Sequence, residues 1–316
     1  MKFTTNAVII IIPLALLLVF PFVGTDYTIY VLTISFYYII LAASWNLVAG
    51  YTGIFSLAHT AFAGVGAYTM GILAAQFSVP PLIGILMGGI VALCCSYVIG
   101  KLTLHLSGTY LALATWAFAG SFATFVYMEY DWTRGAMGLN TPYLFGQVPG
   151  AAPLPYYFFF ASMAIVVLYV IYKVVNSKVG LFIVSIREDE TAAAVCGVDT
   201  AKWKLYIFCL SGLIAGIAGG FYATLVGLIS PVLLEFDEMA FVIMMVTMGG
   251  WGTFLGPILG APLIEGLTEV LRLSGGIRLV LFASLVIILM RYNRGGLVEL
   301  LSRLRLLVKR SALSST

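Results

Sequence analysis

Residues 185–197 read SIREDETAAAVCG, and the chemistry this stretch supports is charge pairing and helix docking. Only 9% of the chain is Asp, Glu, Lys or Arg, yet Arg187, Glu188, Asp189 and Glu190 stand side by side in its middle. Ser185 followed by Glu188 has the spacing of a capping box, in which the hydroxyl meets the backbone N–H three residues on and the carboxylate reaches back. Glu188, Asp189 and Glu190 would then fall in a first turn, where the helix dipole favours negative charge by about 0.3–1 kcal/mol each. Thr191 to Cys196 continue a good helix former, and Gly197 suits a left-handed stop. The spacing predicts a helix of about three turns. One that short is marginal in water and must rest on something. Its face of Ala192, Ala193 and Ala194 with Val195 is small enough to enter a groove.

The other reactive side chains assemble no catalytic set. His59 and His105 are the only histidines, and neither has a Cys, an Asp or a second His at ligand spacing, so no metal site is expected. Cys94 and Cys95 are adjacent, Cys196 ends the charged insert and Cys209 lies in an apolar run, so they read as small core residues. There is no GxSxG or HExxH pattern. A phosphate-binding GxxxxGK[ST] loop is also absent, since Gly100-Lys101 is followed by Leu102. The chain is therefore expected to carry no cofactor and to need partners for any use of ATP. Glu265, Glu269 and Arg272 share one helical stripe, where Glu269 and Arg272 can pair; Glu265 stays conspicuous as an ionisable group at membrane depth.

The elements that must position these residues are membrane spans. Of 316 residues, 62% are hydrophobic and the mean hydropathy is +1.07, far outside soluble composition. A bilayer core needs about 20 mostly apolar residues per helix. Breaking the apolar runs at Gly, Pro and charge clusters gives ten spans, at roughly 6–24, 28–49, 58–77, 82–100, 109–128, 155–174, 204–228, 238–250, 255–272 and 278–291, the eighth being short. The first has no small-residue cleavage pattern behind it and reads as an uncleaved helix. The expected fold is an all-α polytopic membrane protein, one transmembrane domain over 1–316 with a loop at 176–203 and an amphipathic tail at 292–316.

Basic residues orient it. With the N-terminus inside and every span crossing, Lys2, Lys101, Lys173, Lys178, Arg187, Lys202, Lys204 and the basic residues from Arg291 to Arg310 all fall inside. Only Arg134, Arg272 and Arg278 fall outside, which puts both termini and the charged insert in the cytoplasm. In the tail, Leu297, Leu300, Leu301, Leu304 and Val308 at helical spacing among Arg303, Arg305, Lys309 and Arg310 read as an anchor on anionic lipid, not a nucleic-acid site. The outer segments, 129–155 above all, read either as a docking rim or as ordinary solvated loops.

Lipid supplies no hydrophobic drive between helices, so close packing needs stripes of small residues. Gly84, Gly88, Ala92, Ser96 and Gly100 form one; Ala63, Ala67, Gly71 and Ala75 form another. The seventh span has two, Ser211-Ala215-Gly219-Ala223 and Gly212-Gly216-Gly220-Thr224. Glycine and polar residues also cluster at 45–71 and 248–262, as in broken helices, whose freed backbone groups survive only against protein or a water-filled cavity. Trp45, Asn46, Tyr51, Thr52, Ser56, His59 and Thr60 are thus candidates to line a solute path. The alternative is that Gly50 to Ser56 is a short turn.

Three stretches also resemble a known family. GYTGIFSLAHTAFAGVGAYTMGIL (50–73), SIREDETAAAVCGVDTAKWKLYIFCLSGLIAGIAGGFYA (185–223) and MGGWGTFLGPILGAPLIEGL (248–267) are similar to LivM-type permeases of branched-chain amino-acid ABC importers, over about residues 40–295. The resemblance implies a type II ABC importer-like permease for Leu, Ile or Val. It also implies a second homologous permease, two cytoplasmic ATPases carrying ATP and Mg, and a periplasmic or lipid-anchored solute-binding protein. Ser185, Arg187, Glu188, Asp189, Glu190, Ala192, Ala193 and Gly197 fall in the family's ATPase-coupling segment. Leu181 departs from the Arg usual after Gly180, which removes a salt bridge to an ATPase from that position. Related permeases serve urea, short amides and other amino acids, and the alternative from another class is an ion-coupled secondary transporter driven by Na⁺ or H⁺.

Overall fold

The computed structural model describes residues 24–106, 108–146, 153–271, 284, 291 and 296–300. Helix α1 (Asp26–Asn46) starts where the Thr25 hydroxyl accepts the N–H of Thr28, and it runs directly into a π-helical turn, Leu47–Tyr51. A partly buried loop over 52–58 leads to α2 (His59–Phe77), and α3 (Pro81–Thr103) and α4 (Thr109–Met128) follow. A short helix α5 (Tyr130–Thr133) and strand β1 (Leu139–Asn140) cap that end of the bundle. Helix α6 (Pro153–Val175) returns to the segment built from α7 (Lys178–Glu188) and α8 (Glu190–Val195). Helix α9 (Thr200–Val226) then spans the bundle, β2 (Leu228–Ile229) pairs antiparallel with β1, and α10 (Phe236–Gly249) and α11 (Gly256–Val270) complete the described fold.

Among the described residues, six helices are long and apolar enough to cross a membrane: α1 with its π-helical turn, α2, α3, α4, α6 and α9. This is the expected all-α polytopic architecture. The eighth and ninth expected spans are different. Helices α10 and α11 have 14 and 15 residues. At 1.5 Å per residue they are about 21 and 22 Å long, against a hydrocarbon core of about 30 Å. They pack against each other as a pair, with Gly249 against Gly256 and Gly260 against the Met245 backbone, so glycine brings the two axes close. The glycines that mark 248–262 in the sequence therefore make a short-helix hairpin. The first and tenth expected spans and most of the tail lie outside the described residues.

The small-residue stripes fall where the helices meet. Helix α9 packs most extensively on α3 and α2. Gly212 and Gly216 face Ser96 and Ala92 of α3, whereas Gly219 faces Ala63 of α2 and a side chain at Gly66 would run into Gly216. Gly212 is thus turned to α3 and Gly219 to α2, and Gly216 sits where both neighbours meet α9. On α2 the stripe is buried through Gly71 and ends at Ala75, which is exposed. Buried residues of α1, α2, α9, α10 and α11 form one contiguous core.

Overpacking such a crossing forces backbone shifts, so Gly219→Leu should destabilise the detergent-solubilised protein by about 3 kcal/mol. Gly266→Ala, where a Cβ meets nothing within 4 Å, should raise stability by up to about 1 kcal/mol through helix propensity. Thermal unfolding of the two variants beside the parent checks the contrast.

Candidate functional site

Three stretches far apart in sequence meet at the π-helical turn. Asn46, at its start, donates from Nδ2 to the Thr253 carbonyl at 2.9 Å and accepts the Gly252 N–H on Oδ1 at 2.9 Å. Arg187, in the last turn of α7, donates from Nη1 to the Gly50 carbonyl at 2.7 Å. One side chain therefore ties the break after α1 to the break after α10, and a second ties the break after α1 to the insert. Each group satisfied here is a part-buried backbone donor or acceptor, whose loss of a partner costs up to about 1–3 kcal/mol.

Glycine makes the junction possible. A Cβ on Gly50 would lie 2.8 Å from Gly252 Cα, and Gly252 has φ +67°, a left-handed conformation that side chains resist. A Cβ on Gly53 would meet Arg187 Cγ at 3.2 Å. Aromatic rings pack beside it: Trp45 stands edge-on to Trp251 at 5.1 Å and to Phe55 at 5.7 Å, while Phe55 and Trp251 are parallel at 6.0 Å. The Trp45 indole N–H donates to the Ser56 carbonyl at 2.8 Å, which fixes the loop that returns to α2.

The insert differs from its expected form in two respects. Ser185 is not a helix cap. Ser177 starts α7 by accepting the Val179 N–H, and the helix runs through Ser185, whose hydroxyl donates to the Phe182 carbonyl at 2.8 Å. The apolar positions Gly180, Ile183 and Ile186 bury one face of α7, so packing carries the helix past the proposed start. The break comes at Asp189, extended at φ −157° and ψ 107°, whose Oδ1 accepts the Ala192 N–H at 3.0 Å. Glu188 thus ends one helix and Glu190 begins the next. Gly197 does stop α8, at φ +87°, with the Val198 N–H reaching back to the Ala193 carbonyl.

The second difference is the docking face. Ala193 is only 5% exposed and rests on the bundle, the support that so short a helix needs. The free face is Ala192, Ala194 and Val195, the last 85% exposed. Lys204 of α9 holds Glu190 by an ion pair at 2.5 Å. Arg187, Glu188, Asp189 and Glu190 then border an open groove of about 1240 Å³ that Lys101 and Lys202 line from the other side. Leu181 is 73% exposed, on the free face of α7.

The structure places Trp45, Asn46, Tyr51, Thr52, Ser56, His59 and Thr60 together, all buried. The stretch is a π-helical turn and a loop in which Gly53 and Phe55 are exposed beside the large groove. Of the seven candidates only Thr52 borders that groove, and Thr60 borders a separate small cavity. Glu265 lies half-buried on α11, one turn before Glu269, which accepts from the Tyr27 hydroxyl; Arg272 is outside the described residues. Gly252 and Thr253 were not singled out as partners of Asn46, though the GWGT run is the signal that points to them.

A family model described as the permease component of branched-chain amino acid transport systems matches residues 27–290. The chain belongs to that family. The permease is 26% identical over 312 residues to the high-affinity branched-chain amino acid transport permease LivM of Escherichia coli, an alignment covering 91% of this chain and 73% of that protein. LivM of Salmonella typhimurium matches to the same extent. The fructose import permease FrcC of Rhizobium meliloti is 24% identical over 65% of this chain and 60% of its own length. No solved structure matches the permease.

Asn46→Asp keeps the acceptor for Gly252 but turns a carboxylate on the Thr253 carbonyl. It should destabilise the purified permease by about 1–3 kcal/mol, readable as a lowered unfolding midpoint in detergent.

Proposed function

We propose that this permease is the translocating subunit of an ATP-driven importer for branched-chain amino acids, working beside a second homologous permease and two ATPase subunits. Similarity to LivM over most of both chains supports that solute class over the sugar permeases, which match less of the chain. In this reading the chain is one transmembrane domain in a bacterial cytoplasmic membrane, with both termini and the 176–203 loop inside. It is not itself catalytic and holds no cofactor, ATP and Mg being bound by the partner ATPases. A periplasmic or lipid-anchored binding protein delivers solute to the outer segments, and membrane lipid covers the exposed apolar faces. No nucleic acid takes part.

The observation that carries the proposal is the hydrogen bond from Arg187 to the Gly50 carbonyl. The residue next to the docking helix holds the broken part of a spanning helix. A push on α8 from a closing ATPase dimer then has a rigid route through Asp189 and Arg187 to the π-helical turn, and through Asn46 to the turn after α10. Ser185, Glu188, Glu190, Ala192 and Gly197 shape and hold that helix, and Ala193 seats it. Trp45, Tyr51, Thr52, Ser56, His59, Thr60 and Glu265 are the groups such a movement would reach.

Two variants test the route in the reconstituted importer. Val195→Asp puts a charge on the free face of α8, and Arg187→Gln removes the bond to Gly50. Both should lose the stimulation of ATP hydrolysis by loaded binding protein, with the permease still inserted. Stimulation at the parental level in both would rule out the coupling role, and solute uptake by the permease alone on an ion gradient would rule out the importer.

A further inference from the structure

Where the loop over 52–58 enters α2, the fold leaves an imidazole without a partner. His59 is 0% exposed, and neither of its ring nitrogens has a hydrogen-bond partner. A neutral imidazole carries one N–H to donate and one lone pair to fill, and leaving both unmet away from water costs free energy. Its ring contact is with Phe62, 6.0 Å away, which packs in turn on Phe118 and Phe208. Those neighbours are hydrocarbon. The polar side chains around the loop are placed differently, since Trp45, Thr52, Ser56 and Thr115 all make hydrogen bonds.

From this geometry we infer that His59 is a positioning residue of the transport cycle. The loop over 52–58 is a latch: when the insert is pushed it moves toward the large groove, and the His59 ring then meets water. Hydrogen bonds withheld in the present conformation are made in the second one, so the imidazole favours release of the loop. The inference rests on the importer reading and names what the Arg187 route releases.

The loop is built to move as a piece. Thr52, Gly53, Ile54 and Phe55 line the groove beside Ile186 to Glu190, so there is open space on one side of it and the insert on another. Gly53, exposed and at φ +76°, supplies a hinge next to Arg187. Two side chains from other elements hold the far end: Trp45 donates to the Ser56 carbonyl at 2.8 Å, and Thr115 of α4 accepts the Leu57 N–H at 3.0 Å. Ser56 Oγ accepts the Ala58 N–H at 3.3 Å, so a displacement of Ser56 is passed to the residue before His59. A group that is satisfied in only one of two conformations shifts the balance by that difference. An apolar side chain at position 59 reverses the bias, being at ease among the rings and costly when wetted.

The test uses the complete importer in proteoliposomes, held without nucleotide or trapped by ATP with orthovanadate, and then pulsed with diethyl pyrocarbonate, which modifies an accessible imidazole nitrogen. The chain has two histidines, so mass spectrometry of its peptides reads His59 separately from His105, and the denatured importer sets full modification. His59 should react at least about tenfold faster in the trapped state, the factor that one hydrogen bond's worth of bias gives. His59→Leu should raise the unfolding midpoint of the purified permease by about 2–4 °C and lower ATP-driven L-leucine uptake about tenfold. His59→Gln, which keeps a donor and an acceptor, should recover most of the lost uptake. Equal reactivity of His59 in the two states overturns the latch, and so does parental uptake in His59→Leu; the labelling needs no variant and stands even where a variant fails to fold. ATP-driven uptake with His59 unreactive throughout overturns the latch alone, whereas parental uptake that ignores ATP and follows an ion gradient overturns the importer reading and the latch with it.

Discussion

The constraint on which this structure depends is the cost of an unpaired backbone group away from water. A continuous helix satisfies its own N–H and C=O groups; a broken one does not, and inside a bilayer nothing but protein or trapped water can replace the missing partner. The permease breaks two elements at one end of its bundle, after α1 and after α10. The groups thereby freed are bonded by two side chains, Asn46 and Arg187. Placing the breaks together turns two local defects into one junction, because each supplies what the other lacks. The Asn46 amide, with a donor and an acceptor on one rigid plane, is suited to bridging them.

Close packing makes that arrangement possible. With glycine and alanine at the crossings of α9 with α2 and α3, the backbones approach until a methyl group would not fit, and dispersion contacts replace the hydrophobic drive that lipid cannot provide. A core this tight does not deform continuously. Movement at the junction is therefore expected as a shift of whole helices, which is the behaviour the proposed coupling role requires. The short pair α10 and α11 stands beside this rigid unit, packed on α1.

The insert shows how a chain with few charges uses them. Asp189 caps α8, Glu190 is held by Lys204, and Arg187 turns inward to the π-helical turn with Glu188 Oε1 4.0 Å from its Nε, so all four adjacent charges have partners. What remains free is apolar and small, with Val195 its most exposed member. Charge fixes the position of α8, and an apolar surface is left for the proposed partner. A surface ion pair contributes little by itself, so the value of these pairs lies in orientation.

The sequence by itself determined the membrane character, the all-α class, the stripes on which the helices cross and the glycine that ends α8. These follow from local composition and from periods of three to four residues, which a chain cannot disguise. The end-to-end extent of the helices was less legible: Ser185 carries a capping pattern, but burial of Gly180, Ile183 and Ile186 outweighs a cap worth about 1 kcal/mol. Which face of α8 turns inward, and that Ala193 lies on it, depends on what the helix rests against. Only the tertiary structure decided that Asn46, Arg187 and Gly252 share one site, or that Thr60 and Glu235 border one cavity. Those residues are separated by more than about sixty positions, and no local periodicity encodes a contact that depends on how several helices are stacked.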